Sequence, residues 1–132
     1  SYTGNAIACA AANATLELFR DEPVLERNGA LAAAMARELD AFRGLPHVAD
    51  VRQCGMIAAI ELARDGNRRT PFPWQERRGR RVYRHGLENG MLLRPLGDVV
   101  YFMPPYVVTE AEIASLARVA RDGILAAVAD QG

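Results

Sequence analysis

At 132 residues, half of them apolar and about a quarter charged, the chain has the composition of one ordinary folded domain whose core needs no disulfide or metal. Sixteen basic side chains balance sixteen acidic ones, so no net field recruits nucleic acid or anionic membrane, and no apolar run nears the ~20 residues of a membrane span. Every one of those sixteen cations is arginine; without lysine the chain cannot itself supply a Schiff base, an amine nucleophile or a phosphate-loop ammonium.

The first residues, Ser1-Tyr2-Thr3-Gly4-Asn5, read as the middle of a loop, and with no initiating Met they suggest a fragment. From Asn5 to about Arg20 the chain is alanine-rich and predicts a helix capped at Gly4-Asn5. The Ser1 and Thr3 hydroxyls beside that N-terminus suit either a plain cap or an anion site. Asp21-Glu22-Pro23 breaks the helix. A second one follows, with Val24, Asn28, Leu31, Met35, Leu39 and Phe42 on one stripe, and Gly44 and Pro46 end it.

His47 to Cys54 alternates, and Met56 to Leu62 reads as a stronger strand with a mostly buried first half; the tight join at Gly55 predicts an antiparallel pair. A polar loop over Asp65 to Pro73 leads to a third helix, Trp74 to Asn89, with a seam of Gly79, Val82, Tyr83, Gly86 and Leu87, stopped by Gly90. Two short strands, Met91 to Arg94 and Val99 to Phe102, flank a turn at Pro95-Leu96-Gly97-Asp98. Thr109 with Glu112 forms a capping box for a last helix, whose stripe is Ile113, Leu116, Ala120, Ile124 and Val128. The order predicts an α+β fold: a small, mainly antiparallel sheet covered by helices on one face, with a long leading helix that belongs partly to another domain.

Few side chains suggest chemistry. Eight arginines between Arg64 and Arg84 read as a solvated face, since no aromatic platform is interleaved for nucleic acid. Cys9 and Cys54 are isolated and expected to be buried free thiols, which fits a reducing, cytosolic setting; no metal-ligand cluster is expected. His47 and His85 are read as surface or capping residues, and Trp74 as an anchor in a hydrophobic gap. Arg94 stands at a strand end in an apolar stretch. Partly desolvated there, it needs a carboxylate, either one of the chain's own or a ligand's. Tyr101 could face such a ligand or be a core tyrosine bonded to backbone.

Two stretches carry a family resemblance. Ser1-Tyr2-Thr3-Gly4-Asn5-Ala6-Ile7-Ala8-Cys9-Ala10-Ala11-Ala12 resembles the T/S-x-x-G-N-P-L-A-C-A-A-A segment of the class III, fold-type I aminotransferases. Leu93-Arg94-Pro95-Leu96-Gly97 and Val100-Tyr101-Phe102-Met103-Pro104-Pro105-Tyr106 resemble their C-terminal arginine and P-P motif. With Pro73-Trp74-Gln75-Glu76-Arg77-Arg78-Gly79, that form is most similar to the biotin-biosynthesis branch of the family.

The resemblance implies the C-terminal part of a cytoplasmic, homodimeric enzyme that uses pyridoxal 5'-phosphate. Residues 1–20 would be the end of the large cofactor domain and an interdomain helix, and residues 21–132 the small domain. Ser1 would bond the cofactor phosphate of the neighbouring subunit, and Tyr2, Arg94 and Tyr101 would meet substrate, with Arg94 holding the keto-acid carboxylate. The Schiff-base lysine is expected upstream, so no catalytic residue is expected in this segment. The implied reaction transfers an amino group from S-adenosylmethionine to 8-amino-7-oxononanoate, giving 7,8-diaminononanoate. The alternatives are another class III ω-amino-acid aminotransferase, or a non-catalytic carboxylate-binding module of the same fold. Ile7 and Asp98 depart from the family pattern without removing a named function.

Overall fold

The computed structural model describes residues 3–65 and 70–129. Helix α1 (Ala6–Asp21) is followed by α2 (Val24–Leu39) and a 3-10 turn at Asp40–Phe42. Strands β1 (Val48–Cys54) and β2 (Ile57–Leu62) form the first hairpin. A second 3-10 turn at Trp74–Glu76 leads into α3 (Arg78–Glu88), then β3 (Arg94–Leu96), β4 (Val99–Phe102) and α4 (Glu110–Ala129). The strands make one antiparallel sheet in the order β1-β2-β4-β3. The fold is therefore α+β, as the order of elements predicts.

Local chemistry places the helix ends. Asn5 Oδ1 accepts the Ala8 N–H at 3.0 Å, starting α1. The Thr109 Oγ1 accepts the Glu112 N–H at 3.2 Å, and the Glu112 carboxylate accepts the Thr109 N–H at 2.8 Å, which completes the predicted capping box at α4. Gly90, at φ 74°, closes the end of α3 in a backbone conformation that a β-carbon disfavours.

The core lies between one face of the sheet and helices α2, α3 and α4. Met35, Leu39 and Phe42 meet Ile60 and Val100 from the sheet, Val82 from α3, and Ile113 and Ile124 from α4. Each of these side chains is fully buried, and each contributes on the order of 1.5–3 kcal/mol by leaving water. Along β2 and β4, Ala58, Ile60, Leu62, Val100 and Phe102 face this core, while Ile57, Ala59, Glu61, Val99 and Tyr101 point the other way.

Several expectations are corrected by packing. β2 alternates rather than burying its first half: Ile57 lies on the open face and is 50% exposed. The third helix is split, because Arg77 takes φ 47° between the 3-10 turn and α3. Leu87 faces solvent, and the side chain that joins Gly79, Val82 and Gly86 in the seam is Arg78. β3 begins at Arg94 rather than Met91, since the Met91 N–H is held by the Gly86 carbonyl at 2.8 Å, at the end of α3. Trp74 is exposed rather than inserted in a gap. Cys9 and Cys54 are free but exposed, one on the uncovered helix α1 and one on the open phase of β1.

Candidate functional site

The β3–β4 hairpin carries both of the described candidates. Leu96 pairs with Val99, so Gly97 and Asp98 form a two-residue turn, and Gly97 takes the positive φ of 61° that such a turn assigns to glycine. Two positions before Leu96, Arg94 pairs with Tyr101 on the same face. The Arg94 guanidinium carbon lies 5.6 Å from the centroid of the Tyr101 ring, within cation–π range. The two are seven positions apart in sequence, and the hairpin makes them direct cross-strand neighbours.

On this open face a row runs across all four strands: Arg52, Ala59, Tyr101, Arg94. Its two arginines differ. Arg52 is held by Asp50 at 3.0 Å and Glu61 at 2.8 Å, and these carboxylates raise its pKa, Glu61 chiefly. Arg94 has no carboxylate partner among the described residues, so the ion pair to an acid of its own chain does not form there. It is also exposed rather than partly desolvated, because no described residue covers this face. Tyr101 is half-buried, and its hydroxyl has no hydrogen-bond partner among the described residues, unlike a core tyrosine tied to backbone. A shallow recess of about 260 Å³ lies beside the row, lined by Arg52, Gln53, Cys54, Ile57, Ala58 and Ala59.

Two roles at the hairpin escaped the sequence reading, those of Arg78 beneath it and Asp98 in its turn. Arg78, 4% exposed, reaches Glu76 through Nε at 2.7 Å, donates to the Ala127 carbonyl of α4, and lies 5.1 Å from the Phe72 ring centroid. It is thus an internal bracket and not part of a solvated face. The Gly79 N–H, near the start of α3, acts on the Asp98 carboxyl and favours its charged form. Burial pushes its carboxyl above the ordinary value and Glu76 adds to this, while the Gly79 N–H and Arg78 pull it down. The Gly-Asp pair signals a turn in sequence; nothing local signals that the turn packs on a helix residue about nineteen positions earlier.

His47 Nδ1 lies 2.9 Å from the Arg64 carbonyl oxygen, and its ring packs on Phe72, so it staples a loop. The His85 ring packs at Gly123 of α4. Thr3 is exposed just before the Asn5 cap. Ser1 and Tyr2, the expected phosphate and substrate contacts, lie outside the described residues. No group of three or more His, Cys, Asp or Glu among the described residues could hold a metal, and no described helix is long and apolar enough to cross a membrane.

The chain as a whole has counterparts in known proteins. The Aminotransferase class-III family profile matches residues 1–122. The chain belongs to the class III aminotransferases. Among its class III relatives, it is 41% identical over 132 residues to the adenosylmethionine-8-amino-7-oxononanoate aminotransferase of Anoxybacillus flavithermus, covering 100% of this chain and 29% of that protein. It is 43% identical over 126 residues to the enzyme of the same name from Nitratidesulfovibrio vulgaris, covering 96% of this chain and 23% of that one. The crystal structure of the like-named enzyme from Methanocaldococcus jannaschii superimposes with a TM-score of 0.92 at 38% identity, over 97% of this chain and 29% of that one. The chain thus spans between a fifth and a third of the length of these class III relatives.

Proposed function

We propose that this chain is the C-terminal part of a pyridoxal-phosphate-dependent transaminase of biotin biosynthesis, which moves an amino group from S-adenosylmethionine to 8-amino-7-oxononanoate. Residues 21–132 form its small domain, and α1, with no buried residue, is the helix that leads in from the large cofactor domain. The active enzyme is a cytoplasmic homodimer. Its cofactor supplies an electron sink. The residues of this chain do not fit that cofactor by themselves, because no lysine is present and its candidate phosphate ligands are the Ser1 and Thr3 hydroxyls. No step on the cofactor is therefore assigned to them.

Their work is to bind and orient. The observation that carries this reading is Arg94: an arginine without a carboxylate partner among the described residues, set against the Tyr101 ring on the open face of the sheet. Its planar fork can donate two parallel N–H bonds to a carboxylate, and the ring restricts the directions that the fork takes. Arg52 on the same row is already satisfied by Asp50 and Glu61, so it does not compete for the ligand. The keto-acid carboxylate is the expected guest at Arg94, with the Tyr101 hydroxyl free to donate or accept beside it. Holding the substrate in one orientation lowers the barrier to the transfer step. Tyr2, next to Ser1 in the chain, would meet substrate near the entrance.

Steady-state kinetics of the complete enzyme test the assignment. Loss of a charge-assisted pair costs ~1.5–3 kcal/mol, so Arg94→Ala should raise the keto-acid KM roughly 10- to 150-fold while changing the adenosylmethionine KM little. Equal effects on both constants would remove Arg94 from this role. Activity with an ω-amino acid but none with adenosylmethionine would place the protein elsewhere in the family. An intact native mass about three to four times that of this chain is expected, since the chain covers 29% and 23% of the two relatives.

A further inference from the structure

We propose that Asp98 is a positioning residue for the carboxylate clamp: it docks the turn between β3 and β4 onto the N-terminus of α3 and so sets where Arg94 and Tyr101 stand. The role in substrate binding rests on the transaminase reading; the docking itself does not.

The first amides of a helix have no partner within it, and α3 has no local side-chain cap. Its preceding residue, Arg77, sits at φ 47° and offers none. The Asp98 carboxyl stands at that place: the Gly79 N–H favours its charged form, as a helix N-terminus does, while burial disfavours that form more strongly. The contact is close. A β-carbon on Gly79 would stand 2.1 Å from the Gly97 carbonyl oxygen and 2.9 Å from the Pro95 Cβ, so position 79 has room only for glycine. On the other side of the turn, the Asp98 carbonyl accepts the Leu62 N–H at 2.9 Å, tying it to the end of β2.

The platform under Asp98 is itself fixed. Arg78, the next residue back from Gly79, is buried and bonds both Glu76 and the Ala127 carbonyl of α4. β3, by contrast, is three residues long and pairs only with β4, at the edge of the sheet. Along this short strand, the docked turn is the principal restraint beyond the ladder to β4. Arg94 lies four residues before Asp98 and Tyr101 three after it, on the two arms that the turn joins. Movement at the turn therefore shifts the guanidinium relative to the ring.

The test uses the full-length holoenzyme with Asp98→Ala and Asp98→Asn. Asparagine keeps an oxygen that can accept the Gly79 N–H; alanine does not. Two readouts are taken: KM for each substrate, and hydrogen exchange in peptides covering residues 94–102 and 110–129. Asp98→Ala should raise the keto-acid KM roughly tenfold or more and leave the amino-donor KM within about twofold. Exchange should quicken over residues 94–102 and stay unchanged over residues 110–129, and Asp98→Asn should restore most of both. Unchanged exchange over residues 94–102 in Asp98→Ala, equal shifts in the two KM values, or an asparagine variant no better than alanine would each overturn the proposal. A wild-type enzyme inactive with adenosylmethionine would instead sink the transaminase reading, and the exchange comparison would still decide whether Asp98 holds the hairpin.

Discussion

Helices α1 and α4 are built from the same local ingredients and end in opposite situations. Both are alanine-rich, both carry larger apolar residues at helical spacing, and both begin with a side-chain cap. α4 buries eight residues, Ile113, Ala120 and Ile124 among them; α1 buries none, and leaves Ile7 83% and Leu16 67% exposed. Capping and propensity are satisfied within a turn of helix, and they say that a helix forms. Whether its apolar residues are covered depends on what stands opposite. For α4 that is α2, α3 and the sheet. For α1 the described residues offer chiefly the edge contact between Phe19 and Tyr106, with ring centroids 6.3 Å apart.

The largest expected difference between the two helices is in stability. Ile124→Ala should cost ~2–5 kcal/mol by opening a cavity in the core, read from denaturant unfolding of the 132-residue chain. Leu16→Ala in the same chain should change stability by no more than about 0.5 kcal/mol. Extending the chain upstream should bring Leu16→Ala towards the cost of a core truncation, because the proposed large domain would then cover α1. If Leu16→Ala stays neutral in the full-length protein, that docking is wrong.

Next in size is the bracket between α3 and α4. Arg78→Met keeps the apolar stem but strands Glu76 and the Ala127 carbonyl; a loss of about 2–3 kcal/mol is expected in chemical denaturation, tempered by the partial exposure of Glu76. Gly79→Ala should cost about 1–3 kcal/mol, since its new methyl meets the Gly97 carbonyl and the backbone must shift. A neutral Gly79→Ala would show that the hairpin is not seated on α3 in solution.

The smallest effect distinguishes the two caps by pH. Hydrogen bonds from the Thr109 N–H and Oγ1 hold the Glu112 carboxyl below its ordinary value. Its folded pKa is thus lower than its unfolded one, so the stability it contributes is present above the unfolded value. It is lost as pH falls through the folded value. The difference in Tm between wild type and Glu112→Gln should therefore shrink on acidification. The cap of α1 is the Asn5 amide, which does not titrate, and the effect of Asn5→Ala should not vary with pH over the same range. Asp98 runs the other way: with its folded pKa raised, its contribution falls as pH rises from the unfolded value through the folded one.

Much of the fold was legible because its signals are short-ranged. The caps at Asn5 and Thr109, the stripe of α2, the hairpin at Gly55 and the stop at Gly90 each depend on residues within a few positions of one another. The nomination of Arg94 and Tyr101 came from motif resemblance; their pairing came from the hairpin register, which a shift of one residue would have split between two faces. Burial was less legible. Leu87 looked like seam and faces water; Cys9, Cys54 and Trp74 looked buried and are exposed.

The sequence by itself determined which segments would be helix and strand, and that the two strands joined by the β3–β4 turn would carry an arginine and a tyrosine in the pattern of class III aminotransferases. Only the tertiary structure decided that Arg78 turns inward to a carbonyl forty-nine positions away, that the β3–β4 turn packs against Gly79 of α3, and that Arg94 has no acid among the described residues while Arg52 takes two. The reason is range. Backbone preference is settled by neighbours in the chain, whereas burial and charge pairing are settled by whichever distant surfaces the fold brings together.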